Sequence, residues 1–294
     1  PTTTQPTPRP TFSSAPTVFE SHLVAYYNMS KGRAVDSIGR KNGQPFTYST
    51  TLDELATTTS RDGSPDAVRL DPFANQHIRF PASVTQDLVG TAARSICLWA
   101  RINDWDGGQI FEYGSQGAYP DPTELFGLGV RRTPGSFVFT NHPSEKHNVT
   151  IQRSKAEWND WHHYCVTYGR RGPKPWGNVT FYFDGDETAT WNATVDTGTY
   201  YPLYLGVDTN MQRWLNASVD ELYVYSEELH AGAIYGLYSD MTAPPTTTQP
   251  TPRPTFSSAP TVYTFESHLV AYYNMSKGRA CLLYTSPSPR DEKV

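Results

Sequence analysis

Long apolar runs are missing from this chain. No stretch approaches the ~18 apolar residues that a membrane-spanning helix needs, so no transmembrane segment is read. Charge is sparse: 18% of residues are charged and the net charge is −5. That balance offers no basic face for phosphates and excludes nucleic acid as an expected partner. Cysteine is scarce, at 3 of 294 residues. An initiator Met and a signal-peptide pattern are both lacking, and the chain opens inside a Pro/Thr-rich segment. It therefore reads as an internal fragment, with any targeting signal outside it.

Aromatics, by contrast, are plentiful at 13%, with 19 Tyr and 7 Trp. This favours a β-rich fold over a helical bundle. Six Asn-X-Ser/Thr sequons occur, at Asn28, Asn148, Asn178, Asn192, Asn216 and Asn274. Each is a candidate N-glycosylation site. With the mucin-like Pro/Thr segments and an even cysteine count in the body of the chain, they place the expected location outside the cell, secreted or at the cell surface.

Residues 1–18, PTTTQPTPRPTFSSAPTV, carry too much Pro and Thr to bury a core and read as a disordered linker. The same text returns at 245–262, and FESHLVAYYNMSKGRA stands at both 19–34 and 265–280. A repeat with a period of about 245 residues points to a tandem array of linker plus domain. The expected layout is a linker at 1–18, a domain at 19–243, a second linker at 244–264, and the start of a second copy at 265–280. An assembly error that joined one unit to itself is the alternative. Residues 281–294 depart abruptly from the repeat, and CLLYTSPSPRD resembles a translated sequencing adapter, so they are set apart from the fold.

Within the domain the reading is of many short strands. The hairpin WHHYCVTYGRRGPKPWGNVTFYFDGD organises the rest, with strands expected at 163–168 and 179–183 and a tight turn at Asp184-Gly185. Further strands are expected at 22–29, 67–70, 77–80, 94–102, 109–113, 126–131, 136–140, 188–195, 203–207 and 218–225. In 94–102, Ile96, Leu98 and Ala100 share one face and Cys97, Trp99 and Arg101 the other. Only 228–239 has helical periodicity.

In this order the motifs resemble the laminin-G-like and pentraxin-like branch of the concanavalin A-like lectin/glucanase superfamily. HLVAYYNMSKGRAVDSIGRKNG is similar to the first strand and turn of that branch, and RSICLWARINDWDGGQIFEYGS to its crossing strand pair. WHHYCVTY with VTFYFDGDETA is similar to its central hairpin, and LYLGVD with SVDELYVYSEEL to its closing strands. The resemblance implies an all-β fold, a jelly-roll β-sandwich of two antiparallel sheets. It also implies a Cys97–Cys165 disulfide, with two free buried cysteines as the alternative. His163 lies two residues from Cys165, but no third group completes a thiol nucleophile. By position, Asp121, Asp208 and Asn210 are the implied calcium ligands, with turn formation as their bland role.

Glucanases of this type need carboxylates spaced Glu-x-Asp-x-x-Glu on one strand, and no such segment exists. Asp220-Glu221 and Glu227-Glu228 are the nearest acidic pairs. The expected function is therefore binding or adhesion, not catalysis, with glycans or extracellular proteins as partners. Trp105, Tyr113, Tyr119, Trp176, Trp191, Tyr200 and Tyr201 are the aromatics that a sugar could stack on. A structural spacer without ligand is the first alternative, and a glucanase-type glycoside hydrolase the second.

Overall fold

The computed structural model describes residues 22–242 except 39–40, 48–49, 115–124, 142–145, 153–156, 171–175 and 199–200. Beyond these it describes 271–274 and 281–285. The chain divides into two units, Pro1–Pro245 and Thr246–Val294.

The strands of the first unit are β1 Leu23–Asn28, β2 Val35–Asp36, β3 Gln44–Thr47, β4 Thr50–Thr51, β5 Thr57–Thr58, β6 Ala67–Leu70, β7 Gln76–Phe80, β8 Arg94–Ile102 and β9 Gly108–Gly114. They continue with β10 Leu125–Val130, β11 Ser136–Thr140, β12 Lys146–Thr150, β13 His162–Arg170, β14 Trp176–Phe183, β15 Asp186–Thr194, β16 Leu203–Leu205 and β17 Ala217–Tyr225. One helix, α1 Ala231–Thr242, follows. One sheet runs β15-β14-β13-β8-β17-β1-β2, with β6 on β17 and β5 on β6; the other runs β12-β11-β10-β9-β16-β7-β3-β4. All pairings are antiparallel, which makes the sandwich that the resemblance implies.

The core lies between the sheets, where Ile96, Leu98 and Ala100 meet Phe111, Phe126 and Phe137. Phe137 sits at its centre, with ring centroids of Tyr164 and Phe181 at 5.5 and 5.3 Å. The alternate residues of β8 point outward. Cys97 belongs to a second buried cluster with Cys165, Tyr182, Tyr223, Leu229, Ile234 and Leu237, in which α1 covers the back of the first sheet.

The central hairpin forms as expected. Asp184 and Gly185 both take left-handed φ, 52° and 84°, and so turn β14 into β15 with the twist the strands require. The helix starts later than its periodicity suggests. Ser95 Oγ donates to Glu227 O at 2.8 Å and accepts from Leu229 N at 2.9 Å, which pins the connection to β8 before the helix can begin. Five strands of this unit, β2, β3, β4, β5 and β12, were not expected. All are short, without the run of apolar alternation that marks a buried strand.

In the second unit, β18 Ala271–Asn274 pairs with β19 Cys281–Thr285. Ala271–Asn274 repeats residues 25–28 of β1, so this segment is a strand in both copies.

Candidate functional site

One rim of the sandwich carries a cleft of about 550 Å³. Four connections far apart in sequence build it. The β6–β7 turn supplies Pro72 and Phe73, the β8–β9 loop Asp104 and Asp106, the β10–β11 turn Arg131 and Arg132, and the β16–β17 loop Gln212, Arg213, Trp214 and Asn216.

Each wall is held by local chemistry. Asp71 Oδ1 accepts from Phe73 N at 2.9 Å, the side-chain turn typical of Asp before a bend. Phe73 is thereby thrown outward and is 90% exposed. Arg132 Nε donates to Asp106 O at 3.2 Å, and Arg131 Nη2 donates to Asn148 Oδ1 at 2.6 Å.

The β16–β17 loop is the most firmly anchored. Asp208 Oδ1 accepts from Gln212 N at 2.7 Å and Arg213 N at 3.0 Å, and its Oδ2 accepts from Arg213 Nε at 3.0 Å. Arg213 Nη2 reaches the buried Glu112 Oε2 at 3.2 Å, while Glu112 Oε1 accepts from the Thr209 amide and hydroxyl, both at 2.9 Å. Burial raises the Glu112 carboxyl above the usual carboxylate range, and Thr209 and Arg213 oppose that shift. Backbone also meets backbone here: a Cβ on Gly108 would stand 2.7 Å from Trp214 O. The Trp214 ring meets His77 edge-on at 5.5 Å, and His77 stacks on Phe46 at 5.3 Å. Burial pulls His77 down to about 4, so this wall is an uncharged aromatic one at neutral pH.

A second, smaller cleft of about 340 Å³ lies where β13 begins, beside α1. Arg61 sits 4.6 Å over the Trp99 ring there. The Asp184 carboxylate is taken by His162 Nδ1 at 2.9 Å and by His163 N at 3.0 Å.

Cys97 and Cys165 are joined, as the resemblance implies. Asp121 falls outside the described residues. Asn210 is exposed, but both Asp208 oxygens are engaged by N–H donors and a guanidinium stands beside them. The described part of the implied calcium set therefore does not fit a cation. Among the described residues, no group of three or more His, Cys, Asp or Glu could hold a metal ion.

Of the acidic pairs, Asp220 and Glu221 are 3% and 1% exposed at a bulge in β17, so they cannot flank a sugar. Glu227 lies 3.7 Å from the His22 ring. Among the sequons, Asn148 and Asn192 are exposed, while Asn28, Asn178 and Asn216 are half-buried. Asn274 is placed in β18, and its side chain is outside the described residues.

The candidate stacking aromatics divide. Tyr113 is buried under Arg94, Trp105 packs on Phe137 and Trp158, and Trp191 packs against the core. Trp176 is exposed, Tyr201 is half-buried, and Tyr119 and Tyr200 are outside the described residues. Phe73 and Trp214, which line the larger cleft, were missed. The signal for Phe73 was an aromatic directly after the Asp71-Pro72 turn, where no core is available to receive it.

A family model described as the concanavalin A-like lectin/glucanases superfamily matches residues 74–235. No curated protein sequence matches the chain. Domain 4 of AbnA, a GH43 extracellular arabinanase from Geobacillus stearothermophilus solved with arabinotriose, is similar at 20% identity and TM-score 0.55. That match covers 74% of this chain and 98% of that one. The binding domain of botulinum neurotoxin DC, solved with rat synaptotagmin II, is similar at 14% identity and TM-score 0.54, over 76% of this chain and 53% of that one. A structure of botulinum neurotoxin type C, whose cell entry is dependent upon interaction with two ganglioside molecules, matches at 13% identity and TM-score 0.53, over 76% of this chain and 52% of that one. The chain thus spans about half the length of the toxin chains. At these identities the likeness is one of fold.

Proposed function

The chain belongs to the concanavalin A-like lectin/glucanases superfamily, and on that premise we propose that its sandwich is an extracellular binding and adhesion module. It holds a glycan or a protein ligand in the rim cleft and belongs to a secreted or cell-surface protein that repeats it in tandem. The observation that carries this reading is the cleft itself, where Phe73 and Trp214 stand with Arg131, Arg132 and Gln212 around one opening. Rings of this kind stack on sugar faces while the polar groups take hydroxyls or acidic substituents. The disulfide supports an oxidising compartment. The arabinanase domain solved with arabinotriose and the toxin domain solved with synaptotagmin support a fold that accepts both ligand classes.

A hydrolytic role is less well supported. The cleft's two carboxylates, Asp104 and Asp106, are exposed neighbours on one loop. A glycosidic acid works from a desolvated setting with its partner across the bond.

A glycan array probed with the chain and with the Phe73→Ala/Trp214→Ala variant tests the proposal. Binding to a subset of oligosaccharides is expected, weakened about tenfold or more in the variant. Binding unchanged in the variant overturns the assignment of the cleft. No binding to glycans or matrix proteins supports the spacer reading instead.

A further inference from the structure

The outer face of the β14–β15 ribbon carries two glycosylation sequons in direct opposition. Asn178 of Asn178-Val179-Thr180 is paired in register with Asn192 of Asn192-Ala193-Thr194. Val179, Phe181 and Ala193 point into the core. Asn178, Asn192 and Trp176 therefore share the opposite face. Trp176 is 51% exposed there and stands across from Thr194, one diagonal step from Asn192. In the next row, Thr180 and Thr190 have their hydroxyls 3.1 Å apart.

We propose that Asn192 carries an N-linked glycan whose first sugar lies across Asn178 and stacks on Trp176, leaving the Asn178 sequon bare. Opposed side chains stand about 5 Å apart and diagonal ones about 7–8 Å. The first spacing leaves no room for two branched glycans side by side. The second brings one sugar ring, attached at Asn192, over the indole. Asn192 is the exposed member and lies on β15, the terminal strand of its sheet. Asn178 is half-buried between Asn192 and Gly169. Above Gly169, the Glu228 carboxylate occupies the space a Cβ would take. The glycan would also give this sheet edge a bulky solvated neighbour, which discourages strand addition.

The modification requires a polyprenyl-pyrophosphate oligosaccharide donor. A bond forms from Asn192 Nδ2 to the sugar C1 as the C1–O bond to pyrophosphate breaks. The amide gives up one proton, the lipid pyrophosphate leaves, and no electrons change hands. The inference rests on the extracellular reading, but not on what the rim cleft binds.

The test uses the full chain secreted from a eukaryotic host. Both sequons fall on one tryptic peptide, residues 172–213, because Lys174 precedes Pro175. Mass spectrometry therefore counts glycans per peptide directly. One glycan, at Asn192, is expected. Enzymatic removal of it is expected to lower the melting temperature of the parent by about 2–4 °C, and to leave Trp176→Ala unmoved. Two glycans on that peptide, or one at Asn178, overturn the inference. So does a bare peptide when the exposed Asn148 is glycosylated, or an equal loss on deglycosylation in Trp176→Ala. Bare asparagines throughout overturn it and the extracellular reading together. A glycan-array failure bears only on the cleft.

Discussion

Cys97 stands directly opposite Cys165 on the neighbouring strand, and the two are bonded across a sequence separation of 68 residues. The bridge ties β8 to β13 on the outer side of the sheet, in the cluster where Leu229, Ile234 and Leu237 dock. It therefore links the middle of the sheet to the docking site of the helix.

Closing a loop of that length stabilises by about 4 kcal/mol in the chain-entropy model. The Cys97→Ala/Cys165→Ala variant is expected to lose roughly that amount in a urea titration. A loss below about 1 kcal/mol would show that packing alone holds these strands.

His163 predicts a pH dependence. Burial pulls its imidazole down to about 3, and Asp184 offsets only part of that shift. The folded ring stays neutral while the unfolded chain takes up a proton. Its contribution is thus complete above 6.5, the ordinary histidine value, and is lost as pH falls through the folded value near 3. His77, pulled down to about 4, adds in the same direction. Urea midpoints are expected to drop between pH 6.5 and 4, and His163→Phe should make that slope shallower. An unchanged slope would assign the acid sensitivity to other groups.

Asp208 is expected to act as a loop anchor. Asp208→Ala removes the acceptors of three N–H groups and leaves the Arg213 guanidinium to Glu112 alone. A loss of about 1.5–3 kcal/mol is expected, equal in calcium and in chelator. A parent protein whose melting temperature rises with calcium would contradict this reading of Asp208 as an anchor and not a cation ligand.

Much of the fold could be read from local pattern. The alternation of Ile96, Leu98 and Ala100 with Cys97 and Trp99 is the division between core and helix-facing cluster. Asp184-Gly185 named its own turn, because few other pairs tolerate two left-handed residues. Edge strands such as β12 carry little apolar signal, so they escaped. The start of α1 depended on Ser95, a residue 136 positions before Ala231. The cleft was hidden for a similar reason. Phe73, Asp104, Arg131 and Trp214 become neighbours only through sheet topology, and no spacing in the sequence joins them. Asp208 was named as a ligand by the position the resemblance gave it, and nothing in the local sequence revealed the three N–H donors it anchors.

Hydrogen–deuterium exchange, run with the tightest glycan from the array, tests the central claim most directly. The account predicts new protection at 72–75, 104–108, 131–132 and 212–216, the four connections around the cleft, and an intact glycan recovered at the end. Protection confined to the β14–β15 face or to the Trp99 cleft, or a cleaved oligosaccharide, would contradict it.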